Sequence, residues 1–349
     1  MEIREILEIA KSMEASDIHL IVGKAPIFRV HGEIVELQNG ERMMPEDAQR
    51  LIYTILNDAQ QKAFEEKKEL DFSFGINTLG RYRANIHMQR GTVAAAIRTI
   101  TTDIPDLSSL GLPKTVEQFA NVNNGLVLVT GPTGSGKSTT LAAIIDRINT
   151  NTAQHIITVE DPIEYLHRHK KSVVEQREIK TDTESFSSAL KYAMRQDPDV
   201  ILIGEMRDLE TIEAALTAAE TGHLVFATLH TNDAAQTIDR IVDVFPTNQQ
   251  EQIRLQLSVS LKGVVAQQLI PRIDKKGRVL AVEVLVGTPA VGNLIREAKT
   301  HQIYSMIETG ARFGMKSMES SLKELYEKRF ISFDDMAKRS RNAQLMEKL

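Results

Sequence analysis

The stretch Gly125-Leu-Val-Leu-Val-Thr-Gly131-Pro-Thr-Gly-Ser-Gly136-Lys137-Ser138-Thr-Thr limits what this chain can fold into more than any other. Its first half is a bounded apolar run of the kind that makes a buried parallel strand. Its second half fits the phosphate-loop pattern G-x-x-x-x-G-K-[ST]. The residues that follow, Thr139 to Asn149, read as a helix. Strand, Gly-rich loop and helix thus come in the order a phosphate site needs. The glycines let backbone N–H groups curl around phosphate oxygens, and the helix N-terminus adds its partial positive charge. A chance Gly-rich turn would match the bare pattern but would not need this context. Gly131, Pro132, Thr133, Gly134, Ser135, Gly136, Lys137, Ser138 and Thr139 are therefore the candidate nucleotide-binding residues. Lys137 is expected to reach the β and γ phosphates, and the Ser138 hydroxyl to hold Mg²⁺.

A chain of 349 residues with 42% apolar side chains can bury the cores of two or more domains. The net charge is −5, with both signs interspersed, so the basic field of a dedicated nucleic-acid binder is not expected. There is no cysteine, which excludes a disulfide framework, a Cys-ligated zinc and a thiol nucleophile, and agrees with a reducing cytosol. Met1 to Met13 alternates charged with apolar residues and lacks the apolar core of a signal peptide. No apolar run approaches the roughly 18 residues of a membrane span. Direct membrane insertion is not expected.

Residues 1–100 read as a small α+β domain. Ile3, Ile6, Leu7, Ile9 and Ala10 recur at helical spacing, and a strand over Ser16 to Val22 follows. A hairpin over Ile27 to Leu37, a helix near Pro45 to Leu56, and strands at Glu69–Phe74, Arg81–Gln89 and Gly91–Ile100 complete it. Arg81, Arg83, Arg90 and Arg98 cluster in its last strands. Solvated strand faces and a phosphate-facing role are both open for them. Residues 101–113, with Pro105, Gly111 and Pro113, read as a linker.

Residues 114–288 read as an α/β domain. Beyond the phosphate loop its apolar strands are expected at Ile156–Val159, Val200–Ile203, Leu224–Leu229 and Val279–Val286, alternating at first with helices. That alternation implies a mainly parallel sheet whose ligands lie beyond the carboxyl ends of the strands. Those ends carry Glu160-Asp161-Pro-Ile-Glu164, Gly204-Glu205-Met-Arg207 and His230. Carboxylates and a histidine beside a phosphate loop suit phosphoryl transfer to water, which needs positioned charge, a metal ion and a group that orients the attacking water. Glu205 is the candidate for water activation. Many phosphate-loop enzymes carry a metal-holding Asp just before it, where this chain has Gly204. The metal then falls to Ser138, with Glu160, Asp161 and Glu205 as further candidates. His230 is placed to sense the γ-phosphate, whereas His223, at the other end of its strand, reads as structural or as a subunit contact. Arg195 and Arg207 are candidates for touching phosphate or a subunit interface. Residues 289–349 are helical and charged, and read as a small helical bundle.

Taken together, these motifs resemble the type IV pilus retraction ATPases, within the larger family of secretion and pilus motor ATPases. The likeness covers nearly the whole chain. Beside the phosphate loop, the family's Asp box resembles Ile157 to Tyr165, its Walker B resembles Ile201 to Asp208, and its His box resembles Thr221 to Thr231. The resemblance implies a RecA-like P-loop ATPase domain, a smaller N-terminal PAS-like domain and C-terminal helices. It further implies ATP and Mg²⁺ as ligands and a homo-hexameric ring in which N-terminal arginines, here Arg83 and Arg98, reach the phosphates. The partners it implies are the pilus machinery and an inner-membrane platform protein, met from the cytoplasm. Extension and secretion motors of this type generally carry a longer N-terminal region and a four-cysteine zinc element. This chain starts at the PAS-like domain and has no cysteine, so retraction is the expected branch. That branch's C-terminal motif, Ala-Ile-Arg-Asn-Leu-Ile-Arg-Glu, reads here Ala290-Val-Gly292-Asn-Leu-Ile-Arg296-Glu297, with Gly292 in place of the first arginine. An accessory retraction paralogue stays open, as does an extension or secretion motor.

Overall fold

The computed structural model describes residues 1–341 apart from 39, 78, 102 and 276. Residue 102 of the expected linker and residues 342–349 of the C-terminal region lie outside the described residues. The chain forms two compact units, Met1–Asp103 with Pro162–Leu166, and Ile104–Asp161 with His167–Leu349.

The smaller unit runs α1 (Ile3–Ser12), β1 (Ala15–Leu20), β2 (Ile27–Val30), β3 (Glu33–Glu36), α2 (Pro45–Tyr53), α3 (Asp58–Lys67), β4 (Glu69–Ile76), β5 (Gly80–Gln89) and β6 (Thr92–Ile100). Its six strands form one sheet in the order β3-β2-β1-β6-β5-β4, antiparallel throughout. α1 buries Ile3, Ile6, Leu7 and Ala10, the stripe its 3.6-residue period predicts, into the core with Phe28, Ile86 and Ile97. α3 was not expected: its only buried residue is Phe64, so it carries no apolar period. Asn57 caps it instead, accepting from Gln60 N at 2.8 Å.

The larger unit runs α4 (Lys114–Gln118), β7 (Gly125–Thr130), α5 (Lys137–Asn151), β8 (His155–Glu160), β9 (Val173–Glu178), α6 (Phe186–Ala193), β10 (Val200–Ile203), α7 (Leu209–Glu220) and β11 (Leu224–Leu229). It continues with α8 (Ala234–Asp243), α9 (Thr247–Ser260), β12 (Leu261–Pro271), β13 (Arg278–Val286), α10 (Pro289–Arg296), α11 (Ile303–Thr309), α12 (Met318–Glu327) and α13 (Phe333–Arg339). Its sheet has seven strands, ordered β13-β12-β7-β11-β10-β8-β9. All neighbours are parallel except β12 and β13. Every residue of β7, β10 and β11 is buried, which is why their sequences are unbroken apolar runs. Cores lie on both faces of the sheet.

Two strands escape sequence reasoning. β9, Val-Val-Glu-Gln-Arg-Glu, is a polar edge strand, and β12 follows α9 with no turn residue between them. The C-terminal helices dock on the rest of the unit as well as on one another: α10 lies on α9 and meets α11, Tyr326 of α12 packs edge-on against Phe333 of α13, and α12 and α13 cover the β12–β13 hairpin through Met318, Leu322, Leu325 and Met336.

Candidate active site

α5 begins directly after Gly136, whose φ of +91° is a left-handed conformation that glycine adopts without strain. The first turn of α5 carries no acidic side chain, so the positive end of its dipole is left for an external anion. Lys137 is buried against the loop, its Nζ donating to the carbonyls of Gly131 (2.8 Å) and Pro132 (3.1 Å). Ser135 is 3% exposed, and its Oγ has no hydrogen-bond partner in the protein. A buried hydroxyl without a partner is costly unless a ligand satisfies it, and a phosphate oxygen does so. Pro132, Thr133 and Gly134 are exposed along the rim. The loop thus fits phosphate on its own observations.

Along the carboxyl edge of the sheet, β7 is followed by β11, β10 and β8. With strands about 4.8 Å apart, His230 stands one step from the loop's strand, Glu205 two steps and Glu160 three, about 14 Å away. Glu205 is the hub. Its Oε1 meets Nε2 of His230 at 3.1 Å and Nε of Arg207 at 2.5 Å, and its side chain is 20% exposed. The carboxylate of Glu205, and beyond it that of Asp161, holds the Arg207 guanidinium above its ordinary range. The absent Walker aspartate also has a steric account. A Cβ on Gly204 would sit 3.2 Å from both Glu160 Cα and Val159 O, and Gly204 N donates to Val159 O at 2.7 Å. An aspartate here would push apart the strand ends that present Glu160 and Glu205.

Glu160 is held from its own face of the sheet. Its Oε1 accepts from Thr158 Oγ1 at 2.7 Å and from Gln176 Nε2 at 3.1 Å. Among the described residues no three His, Asp or Glu side chains gather as a metal site. The expected metal group of Glu160, Asp161 and Glu205 is therefore not assembled as one coordination sphere, because its members stand on different strand ends and Glu205 is already engaged by His230 and Arg207. Ser138, at the start of α5, remains the hydroxyl beside the loop.

One further expectation is corrected. Arg195 is exposed on the turn between α6 and β10, by the amino end of the strand, where Asp199 accepts from His155 N at the start of β8. A crossover helix runs back against its strands, so its last turn lies at the edge opposite the phosphate loop, and Arg195 is not brought to the site. Glu164 is exposed within Pro162–Leu166, the segment that belongs to the smaller unit, where Tyr165 bridges Thr101. His223, expected to be structural or at a subunit contact, has its Nδ1 near Ala218 O (3.0 Å) and Thr221 Oγ1 (3.2 Å) at the α7–β11 turn. In the smaller unit Arg83 and Arg98 are exposed cross-strand partners, and Arg98 Nε meets Asp17 Oδ1 at 2.8 Å. Arg90 lies apart from them, on the β5–β6 turn.

Sequence reasoning missed two residues at the loop. Arg278, at the start of β13, donates from Nη1 to Gly134 O at 3.1 Å. Gln267, buried on β12, donates to Thr140 Oγ1 of α5 at 2.8 Å. Both depend on β12 lying beside β7, and no local pattern announces that neighbour.

A phosphate loop between a central parallel strand and a buried helix, with a Glu–His pair on the adjoining strand ends, defines a RecA-like P-loop nucleotide hydrolase. The fold adds to it a smaller N-terminal α+β unit of PAS-like type and C-terminal helices. The chain belongs to the type II/IV secretion system protein family, whose model matches residues 2–339. It is 49% identical over 341 residues to a type IV pilus retractation ATPase, PilT, of Pseudomonas aeruginosa, covering 98% of each chain. It is 39% identical over 335 residues to the type IV pilus ATPase PilU of the same organism, covering 96% of this chain and 87% of that one. Among solved structures, a crystal structure of the pilus retraction motor PilT with bound ADP superposes with a TM-score of 0.93 at 50% identity, over the whole of both chains.

Proposed function

We propose that the chain is an ATP-hydrolysing motor that powers type IV pilus retraction, working as a homo-hexamer from the cytoplasmic side of the inner membrane on a platform protein of the pilus machine. The reading is carried by the full-length likeness to a retraction ATPase, stronger than that to PilU. Among the described residues no helix is long and apolar enough to cross a membrane, which agrees with a peripheral attachment.

In this reading residues 131–139 cradle the phosphates of ATP and Lys137 turns from the loop carbonyls to the β and γ oxygens. The Ser138 hydroxyl would hold Mg²⁺, with Glu160 and Asp161 as further candidates, and the ion when bound would supply neutralising charge at the phosphates. Glu205 orients and activates the attacking water. His230 and Arg207 fix the Glu205 carboxylate, and His230 links it to the strand next to the phosphate loop. Arg83 and Arg98 reach the phosphates of a neighbouring subunit, and the two units move against each other through the cycle.

Glu205→Gln keeps the size of the side chain but removes the carboxylate base. Steady-state turnover is expected to fall at least about 100-fold, the range for loss of a positioned acid–base group, with fluorescent-nucleotide affinity kept. Near-normal hydrolysis in that variant would overturn the assignment.

A further inference from the structure

Glu160 ends β8, three strands from the strand of the phosphate loop, and the way it is held says what it responds to. β8 and β9 are parallel, with Thr158 directly opposite Gln176. Side chains two residues apart on a strand share a face, so Thr158, Glu160 and Gln176 converge there. The Gln176 amide has a forced orientation. Its Oε1 lies 2.8 Å from the backbone N–H of His167, a group that can only donate, so its Nε2 must face the other way. There it donates to Glu160 Oε1 at 3.1 Å. One side chain therefore ties the Glu160 carboxylate to the peptide of His167.

His167 is the residue at which the chain returns to the larger unit. The five residues before it, Pro162–Leu166, belong to the smaller unit, where Leu166 N donates to Thr101 O at 3.3 Å. The chain thus leaves the larger unit one residue after Asp161 and returns at the peptide that Gln176 holds.

We propose that Gln176 is a positioning residue for hydrolysis, which sets the Glu160 carboxylate according to where the excursion of residues 162–166 places the His167 peptide. This rests on the reading that Glu160 serves the hydrolytic site. A shift of that segment moves the N–H that Gln176 follows, and Gln176 carries the shift to Glu160. Turnover then depends on the placement of a segment that belongs to the smaller unit. Gln176 acts through the carboxylate, so its loss lowers turnover and leaves nucleotide binding alone.

The test is a double-mutant cycle on the full-length protein, with kcat for ATP, the Kd of a fluorescent ATP analogue, and Tm measured for each variant. Gln176→Leu is expected to lower kcat about 10-fold, within the range for a misplaced catalytic group, with Kd within about twofold of wild type. Added to Glu160→Gln it is expected to cost nothing more, because residues that act as a unit are not additive. A Gln176→Leu with normal kcat, or one whose effect multiplies that of Glu160→Gln, overturns the positioning role and leaves the hydrolytic reading in place. A Glu160→Gln enzyme with normal kcat overturns both the positioning role and the assignment of Glu160 to the hydrolytic site. Should Gln176→Leu fail to fold, Gln176→Met, closer in volume and equally unable to donate, carries the same expectations.

Discussion

At the scale of single residues, two carboxylates of the larger unit sit in environments that differ sharply. Glu205 is partly exposed and shared between His230 and Arg207, which suits the water-activating role proposed for it. Glu283 on β13 is the opposite case. It is 1% exposed, its Oε1 accepts from Ala234 N at 2.9 Å, and burial pushes its carboxyl up from 4.5 to about 7. The nearby Asp233 and Glu319 push the same way, and Arg341 opposes them. For an acid whose folded pKa is raised, the native state binds more protons than the unfolded chain between the two values. The stabilising effect is full below about pH 4.5 and is lost as pH rises through about 7. The penalty on the ionised form reaches roughly 3 kcal/mol at its upper limit. Glu283→Gln, which cannot ionise, is expected to lose less Tm than wild type between pH 5 and pH 8. Parallel Tm profiles for the two proteins would contradict this.

At the scale of elements, legibility followed burial. β7, β10 and β11 are apolar at almost every position because both faces of the sheet are covered, so their runs could be read directly. The phosphate loop and the acidic strand ends came with them. β9 and α3 could not be read, since an edge strand and a surface helix with one buried residue need no apolar period. Arg278 and Gln267 were hidden for a third reason, a neighbour relation between β12 and β7 that only tertiary structure supplies. Gly292 belongs to this scale too. It sits on α10 where α10 crosses α9, and a Cβ there would lie 2.8 Å from Ser258 O. The arginine of the related motif has no room in this packing, so the glycine answers to the close approach of two helices. Gly292→Arg is expected to overpack that contact at a cost of about 1–3 kcal/mol, lowering Tm by roughly 2–4 °C for each kcal/mol. An unchanged Tm would show that α10 can lift from α9 without cost.

At the scale of the whole molecule, the sequence places a boundary near residue 101 but gives no sign that residues 162–166 belong with the smaller unit. The chain passes between the units three times, at 103/104, 161/162 and 166/167. The second pass falls inside the motif that local reading assigns wholly to the ATPase site, and the third comes just after it. The Asp box is thus a passage of the chain between the units as well as a run of acidic residues. A motor needs such a connection, because hydrolysis does work only if the state of the site and the placement of the units depend on each other. The central claim, that this dependence drives pilus retraction, is tested most directly by counting surface pili and following their retraction in a strain that lacks the gene. The account predicts abundant pili that do not retract, restored by the wild-type chain and not by Glu205→Gln. Loss of surface pili on deletion would contradict it and mark the chain as an extension motor.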